Sequence, residues 1–282
     1  MGIRRSRRFL PCLEELESRA VPSAWEMFDF QAAPAGEFNA VQVNTQIVGY
    51  TPAQIRHAYG FDQVGFLAGK DPNSAGAGQT IAIVDVYDDP NILADANHFS
   101  VTFGLPQFNN GTGSPRFTKV NENGSASGPF PRANASWAAE IALDVEWAHA
   151  IAPAANIILV ESSSTYLVDL IPAIDTARNG SGVSAVSMSW GGAEFNGISA
   201  YDSHLTTPSG DSNGVTFTAA TLDNGAYYMK RTAAYWPAVS PNALAVGGTV
   251  LTLNSNGEYA GRRAGRWAPA AVDRRQGPDR DL

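Results

Sequence analysis

Short apolar segments rich in β-branched residues alternate with longer amphipathic segments in the central part of the chain. Thr80–Val86 predicts a strand that is buried on both faces, and Ile92–Phe103 predicts the helix that follows it. The strand signature returns in four later segments: residues 156–161, 183–189, 215–220 and 243–246. Strands that alternate with helices form a parallel sheet with helices on both faces, so the chain is expected to adopt an α/β fold.

Composition divides the 282 residues into four regions. They are an arginine-rich leader over 1–20, a linker over 21–49, a folded domain over 50–260 and an irregular basic tail over 261–282. Within the domain, residues 166–178 predict a further helix with a kink at Pro172, and residues 249–257 predict a strand and a turn.

Charge is distributed unevenly along the chain. The net charge is −8, but the leader carries +2 and the tail +3, so the remainder carries −13. Such an acidic body repels phosphate backbones, which argues against a nucleic-acid partner. No stretch approaches the roughly 18 apolar residues of a membrane-spanning helix. Neither nucleic acid nor a membrane is therefore an expected partner.

The single cysteine, Cys12, lies in the leader, so the domain is expected to contain no internal disulfide, thiolate metal site or cysteine nucleophile. The cellular compartment has to be inferred from the leader itself. Its four arginines between positions 4 and 8 resemble a twin-arginine export signal, although the apolar stretch of about 7 to 15 residues that follows such signals is missing. The leader favours export from the cytoplasm.

The most informative segment is residues 136–151, a predicted helix that stops before Pro153. At about 3.6 residues per turn, five residues share one largely apolar stripe: Trp137, Ile141, Asp144, Ala148 and Ile151. Glu140 lies at the margin of this stripe. Glu146 and His149 are expected to point the other way, into solvent.

Two carboxylates, Glu140 and Asp144, therefore meet at an apolar helix face. They could be ordinary surface charges, because a like-charge pair at this spacing costs only about 0.2 to 0.5 kcal/mol. A buried carboxylate pair instead separates its pKa values, which is how catalytic acids and bases arise. Their position favours the catalytic interpretation and predicts coupled titrations with at least one raised pKa.

Five segments match those of one peptidase family in order. They are residues 50–55 (YTPAQI), residues 81–85 (IAIVD), the helix with Glu140 and Asp144, residues 187–192 (SMSWGG) and residues 237–249 (PAVSPNALAVGGT). On these segments the domain resembles the sedolisins, the serine-carboxyl peptidases. The resemblance implies a subtilisin-like parallel sheet with helices on both faces, incomplete at the C-terminus, and proteolysis in acid.

The resemblance also implies roles. Glu140 would be the general base that takes the proton of a serine, and Asp144 would orient it. A carboxylate suits acidic solution, where histidine is protonated. A third acid, kept protonated, would donate a hydrogen bond to the oxyanion. Four residues would bind the substrate backbone: Ser189, Trp190, Gly191 and Gly192. Without the resemblance, those four equally fit a buried strand that ends in a glycine turn.

Two acids compete for the third role. Asp211 lies in a Ser-Gly-Asp-Ser segment that matches the family's letters, but it precedes the strand predicted over 215–220, whereas the family's motif follows its strand. Asp223 has the right place with altered neighbours, so it is the predicted oxyanion donor and Asp211 a turn residue. Leu222 stands where the family has glycine, which matters if that position needs a positive φ.

A subtilisin is the nearest alternative enzyme. Asp85 ends the first strand, where a subtilisin would place its acid. A subtilisin site also needs a histidine that begins a helix in a His-Gly-Thr motif, and none of the four histidines is followed by Gly-Thr.

The resemblance finally implies a nucleophilic serine in a late Gly-Thr-Ser motif, followed by a calcium-binding loop. Neither is found, so the nucleophile is unknown and no metal or cofactor is expected in this chain; the family's calcium site would lie in the missing C-terminal part. Two functions stay open: a serine-type endopeptidase that is inactive as this chain, or a noncatalytic remnant. A peptide or protein is the expected partner in both.

Overall fold

The computed structural model describes residues 31–34, 49–64, 71–223, 227–228, 231–232 and 234–264. The predicted leader lies outside the described residues, as does most of the predicted linker. Residues 265–282 of the predicted tail lie outside them too.

The strands lie mostly where the apolar segments predict them. In chain order they are β1 (Ala33–Pro34), β2 (Thr80–Val86), β3 (Phe117–Asn121), β4 (Asn156–Ser162), β5 (Val183–Met188), β6 (Trp190–Ala193), β7 (Thr216–Ala220), β8 (Tyr227–Tyr228), β9 (Arg231–Thr232), β10 (Tyr235–Trp236), β11 (Leu244–Val246), β12 (Thr249–Leu253) and β13 (Tyr259–Ala264). Six of them form one sheet in the order β11-β7-β5-β2-β4-β3, and every pairing in it is parallel.

Helices cover both faces of this sheet, as predicted. They are α1 (Pro52–Ala58), α2 (Ile92–Phe103), α3 (Ala135–Ile151) and α4 (Leu167–Arg178), with Pro172 inside α4. Three short 3-10 helices lie at Phe61–Gln63, Pro72–Ser74 and Ile198–His204. Within the described ranges, no helix combines the length and the apolar character needed to cross a membrane.

Side-chain alternation along the strands sorts residues between two cores. Ile83 of β2 packs with α2 and α3, whereas its neighbour Val84 packs with α4. On β4, Leu159 and Val160 divide in the same way. Odd-numbered residues of β2 and β4 therefore face α3, and this parity places the residues of the site.

A second sheet holds β6 between β1 and β10, and both pairings are antiparallel. Only Ser189 separates β5 from β6. The hairpin of β12 and β13 extends to Ala264, four residues into the segment predicted as a tail.

The prediction of burial is wrong for residues 243–246. The segment does form a strand, β11, but Leu244 is 61% exposed and Val246 is 49% exposed. The reason is position, because β11 is the edge of the six-stranded sheet and pairs within that sheet with β7 alone.

Candidate active site

The start of α3 is fixed by a side-chain cap. Asn134 Oδ1 accepts hydrogen bonds from the backbone N–H groups of Ser136, at 3.0 Å, and Trp137, at 3.2 Å. The helix then runs for 17 residues to Ile151, close to the predicted bounds. Glu140 and Asp144 consequently lie one turn apart on it.

The carboxyl pair faces the sheet. Glu140 is 1% exposed and lies beside Ile141 and Val145, which are fully buried. Asp144 is half-buried as a residue, but its Oδ2 is enclosed and has no hydrogen-bond partner among the described residues. The two acids are therefore not surface charges of a solvated helix face.

The expectation that Glu146 and His149 are solvated is wrong. His149 is fully buried: its Nε2 lies 2.8 Å from the carbonyl oxygen of Pro106, and its ring lies 4.1 Å from that of Phe108. Glu146 is half-buried beside a cavity of about 250 Å³ that residues of α2 line. Burial raises the pKa of Glu146 to about 7 and lowers that of His149. Helix α2 and the segment after it cover this side of α3, which helical periodicity alone does not predict.

A third buried acid, Asp85, belongs to the same site. It is the next odd-numbered residue of β2 after Ile83, so alternation directs it toward α3. Asp85 is fully buried, and neither carboxyl oxygen has a hydrogen-bond partner among the described residues. The charges of both Asp144 and Glu140 act on it.

Burial dominates the electrostatics of these acids. It raises the pKa of Asp85 well above its ordinary range, and the charges of Asp144, Glu140 and Glu161 raise it further. Burial also raises the pKa of Asp144 to about 6. The hydrogen bond of 2.8 Å that Ser189 Oγ donates to Asp144 Oδ1 opposes this increase. The burial of Asp144 agrees with the expectation of at least one raised pKa in the helical pair, and the coupled titration of the pair stays a prediction. Adjacent acids of this kind share protons in mildly acidic solution.

Asp223 follows the carboxyl end of β7, at the same edge of the sheet and two strands along from β2. Its Oδ1 lies 3.6 Å from the position that a Cβ would occupy on Gly248. The preceding Leu222 has a φ of 60°, so the backbone takes the left-handed conformation usual for glycine although leucine stands there. Asp211 is exposed, and its Oδ1 accepts a hydrogen bond from Asn213 N at 2.9 Å, an arrangement typical of a turn.

The residues predicted to bind substrate occupy different environments. Ser189 contacts Asp144 directly, and Trp190 is fully buried with its Nε1 donating to the carbonyl oxygen of Val84 at 2.7 Å. Trp190 and Gly191 pair with β1, whereas Gly192 pairs with β10. Both edges of β6 are therefore occupied by strands of this chain, and substrate binding by these residues stays a prediction.

Sequence reasoning missed two members of this region. It placed Asp85 only in the subtilisin alternative and assigned no role to Glu161, which lies near the end of the next strand of the sheet and is also fully buried. The available signal was that each is the only charged residue of its strand. Among the described residues, no group of three or more His, Cys, Asp or Glu side chains is arranged to hold a metal ion.

Comparisons with known proteins address the ancestry of this arrangement. No protein-family model matches the chain. Over 244 residues it is 30% identical to kumamolisin from Bacillus sp. (strain MN-32), a match that covers 83% of this chain and 40% of kumamolisin. The chain thus spans less than half the length of that relative.

A solved structure of Pseudomonas sedolisin, a serine-carboxyl proteinase complexed with two molecules of pseudo-iodotyrostatin, has a similar fold. The TM-score is 0.57 at 20% identity, and the match covers 76% of this chain and 57% of that one. Sequence and fold agree: the chain is a relative of the sedolisins and shares their subtilisin-like α/β fold.

Proposed function

We propose that this chain provides the acid–base part of a serine-type endopeptidase of the sedolisin class, which acts on peptides or proteins in acidic solution outside the cytoplasm. The observation that carries the proposal is the buried carboxyl of Asp144, with a pKa of about 6, one helical turn from buried Glu140 and beside Asp85. These groups lie at the carboxyl ends of parallel strands, where α/β proteins bind their ligands.

The proposed chemistry assigns one task to each acid. Glu140 accepts the proton of a serine hydroxyl as the serine oxygen attacks the peptide carbonyl carbon, and it returns that proton to the leaving amine. Asp144 holds Glu140 in position. Asp223, in its protonated form, donates a hydrogen bond to the oxyanion. A carboxylate base keeps a deprotonated fraction at a pH where histidine is charged.

The serine itself is not assigned. Ser189 is hydrogen-bonded to Asp144 and stands between β5 and β6, so we give it the task of holding Asp144 rather than that of nucleophile. Because the sequence contains no late Gly-Thr-Ser motif, we propose that this chain on its own does not hydrolyse peptides.

A noncatalytic peptide-binding protein is the second candidate. The short strand β1, two residues long, motivates it, since an extended peptide could take its place beside Trp190 and Gly191 of β6. In this alternative the acids serve no proton transfer.

Carboxyl titration by NMR tests the first proposal. We expect Asp144 to titrate near pH 6, and we expect Glu140→Gln to lower the pKa of Asp85 because one repelling charge is removed. Glu146→Gln, on the other side of the same helix, is the matched control and should leave Asp85 unchanged. An Asp144 that titrates near pH 4, with an Asp85 insensitive to Glu140, would contradict the proposal.

A peptide-cleavage assay at about pH 4 complements this titration. We expect no turnover from the purified chain. Turnover that is lost in Glu140→Gln would instead show that a serine of this chain reacts with Glu140 as its base, whereas turnover that survives in Glu140→Gln would place the chemistry elsewhere.

A further inference from the structure

Lys119 lies on the α3-facing side of the sheet, next to the carboxyl site. On β3, Phe117 packs with α2 and α3 and Val120 packs with α4, so alternation directs Lys119 toward α3. Its Nζ donates hydrogen bonds to Asp88 Oδ1 and, at 2.9 Å, to the carbonyl oxygen of Asp89. The same Nζ lies 3.7 Å from Glu161 Oε1.

Glu161 lies between this lysine and Asp85. It is the register partner of Asp85 on β2 and of Asn121 on β3, and its side chain points to the same face as theirs. Its Oε1 accepts a hydrogen bond from Asp89 N at 3.2 Å, while its Oε2 is enclosed and has no hydrogen-bond partner among the described residues. A fully buried carboxyl with one oxygen that lacks a hydrogen bond lowers the stability of the fold. Such a group therefore calls for a functional explanation.

Asp88 connects Lys119 to the helix that carries the catalytic pair. The backbone N–H of Asp88 donates to the carbonyl oxygen of Arg132 at 3.1 Å, and the N–H of Asn134 donates to the carbonyl oxygen of Asp88 at 3.3 Å. Asn134 is the residue that caps α3. The side chain of Lys119 therefore fixes Asp88, and the backbone of Asp88 in turn binds Arg132 and Asn134, which directly precede α3.

We propose that Lys119 and Glu161 are positioning residues for the carboxyl site: Lys119 fixes the start of α3 through Asp88, and Glu161 governs the charge of Asp85. Neither residue is assigned a contact with substrate. The catalytic role of Lys119 and Glu161 rests on the proposed function, but their physical effects on Asp88 and Asp85 do not.

The groups that face Glu161 decide the sign of its effect. Burial raises its pKa to about 8, and the charge of Asp88 adds to this increase, while Lys119 and the N–H of Asp89 oppose it. The neighbour of Glu161 on β2 is Asp85, and the charges of Glu140 and Asp144 on α3 also raise the pKa of Asp85. Deprotonation of Glu161 therefore places a second buried negative charge beside Asp85 and opposes the ionisation of Asp85.

Two measurements on the full chain test the pair. Carboxyl NMR should show that Glu161→Gln lowers the pKa of Asp85 by about one pH unit, because a like charge is removed from a neighbouring strand position. Lys119→Met should raise the pKa of Glu161. Amide hydrogen exchange at Ser136 and Trp137 should become about tenfold faster in Lys119→Met, because the start of α3 is released.

Conservative and matched variants separate positioning from general stability. Lys119→Arg should keep slow exchange at the start of α3, and Asp88→Asn should reproduce the faster exchange while leaving the lysine in place. Glu146→Gln, which also removes a partly buried acid with a raised pKa, should change neither reading. Should Lys119→Met not fold, Asp88→Asn and Glu161→Gln supply the same two readings.

The proposal is overturned if Glu161→Gln leaves the pKa of Asp85 in place, or if Lys119→Met and Asp88→Asn lower global stability without faster exchange at Ser136 and Trp137. These outcomes are distinct from failure of the proposed function. An Asp144 with an ordinary pKa would remove the catalytic assignment while leaving the shifts caused by Lys119 and Glu161 intact.

Discussion

The two faces of strand β2 differ in how they end. From Ala82 onward the α4-facing face is apolar, with Ala82, Val84 and Val86 all fully buried. The α3-facing face begins with Ile81 and Ile83 but ends in the acid Asp85. One face therefore contributes only apolar burial, whereas the other places an unpaired carboxyl in the interior, which costs stability. Stability and chemistry are thus separated across a single sheet.

The largest expected effect comes from the apolar face. Ile174→Ala in α4 removes a fully buried side chain, so the free energy of unfolding should fall by about 2 to 5 kcal/mol in urea denaturation. The titration of Asp144, on the other side of the sheet, should not move. Val168→Ala, at a position 39% exposed on the same helix, is the control and should cost far less. A shifted Asp144 titration in Ile174→Ala would break the separation of the two faces.

The acidic face should show itself in the pH dependence of stability. Because folding raises the pKa of Asp144 from 3.8 to about 6, the native state binds the proton more tightly, and this stabilisation is complete below about pH 4 and lost as the pH rises to about 6. The unfolding free energy of the wild type relative to Asp144→Asn should therefore fall by about 2 to 3 kcal/mol between these pH values. Parallel pH profiles for the two proteins would show that Asp144 is not buried as described.

The loop after β7 should store a smaller amount of strain. Leu222 has a φ of 60°, which costs a leucine about 1 to 2 kcal/mol relative to glycine. Leu222→Gly should consequently raise the unfolding free energy by about 1 kcal/mol, measured by urea denaturation. Leu244→Gly, in an exposed strand, should give no such gain. A loss of stability in Leu222→Gly would mean that packing of the leucine outweighs the strain.

The smallest expected effect concerns the edge of β6 occupied by β1. Ala32 is 6% exposed beside this pairing, so Ala32→Asp should displace β1 and free the edge next to Trp190 and Gly191. Apparent affinity for an extended peptide should then rise by about threefold, because a larger fraction of molecules has the edge open. Ala33→Asp, at an exposed neighbour, is the matched control. Equal binding in the two variants would show that β1 does not compete with peptides.

Element positions could largely be predicted from the sequence, because periodicity is a local property. β2 and α2 have the predicted bounds, Thr80–Val86 and Ile92–Phe103, and α4 contains Pro172 as expected. Exposure was less predictable. His149 is buried because the segment with Pro106 and Phe108 packs over it. The spacing of residues within α3 does not predict this contact with a distant segment.

Three features follow from local sequence: the alternation of strands and helices, the relationship to sedolisins, and the placing of Glu140 and Asp144 one turn apart on one helix. Only the folded chain brings Asp85 to that pair, with Glu161 and Lys119 nearby. The physical reason is that residues on different strands meet only through sheet order and register. Burial then raises the pKa values of Asp85 and Glu161.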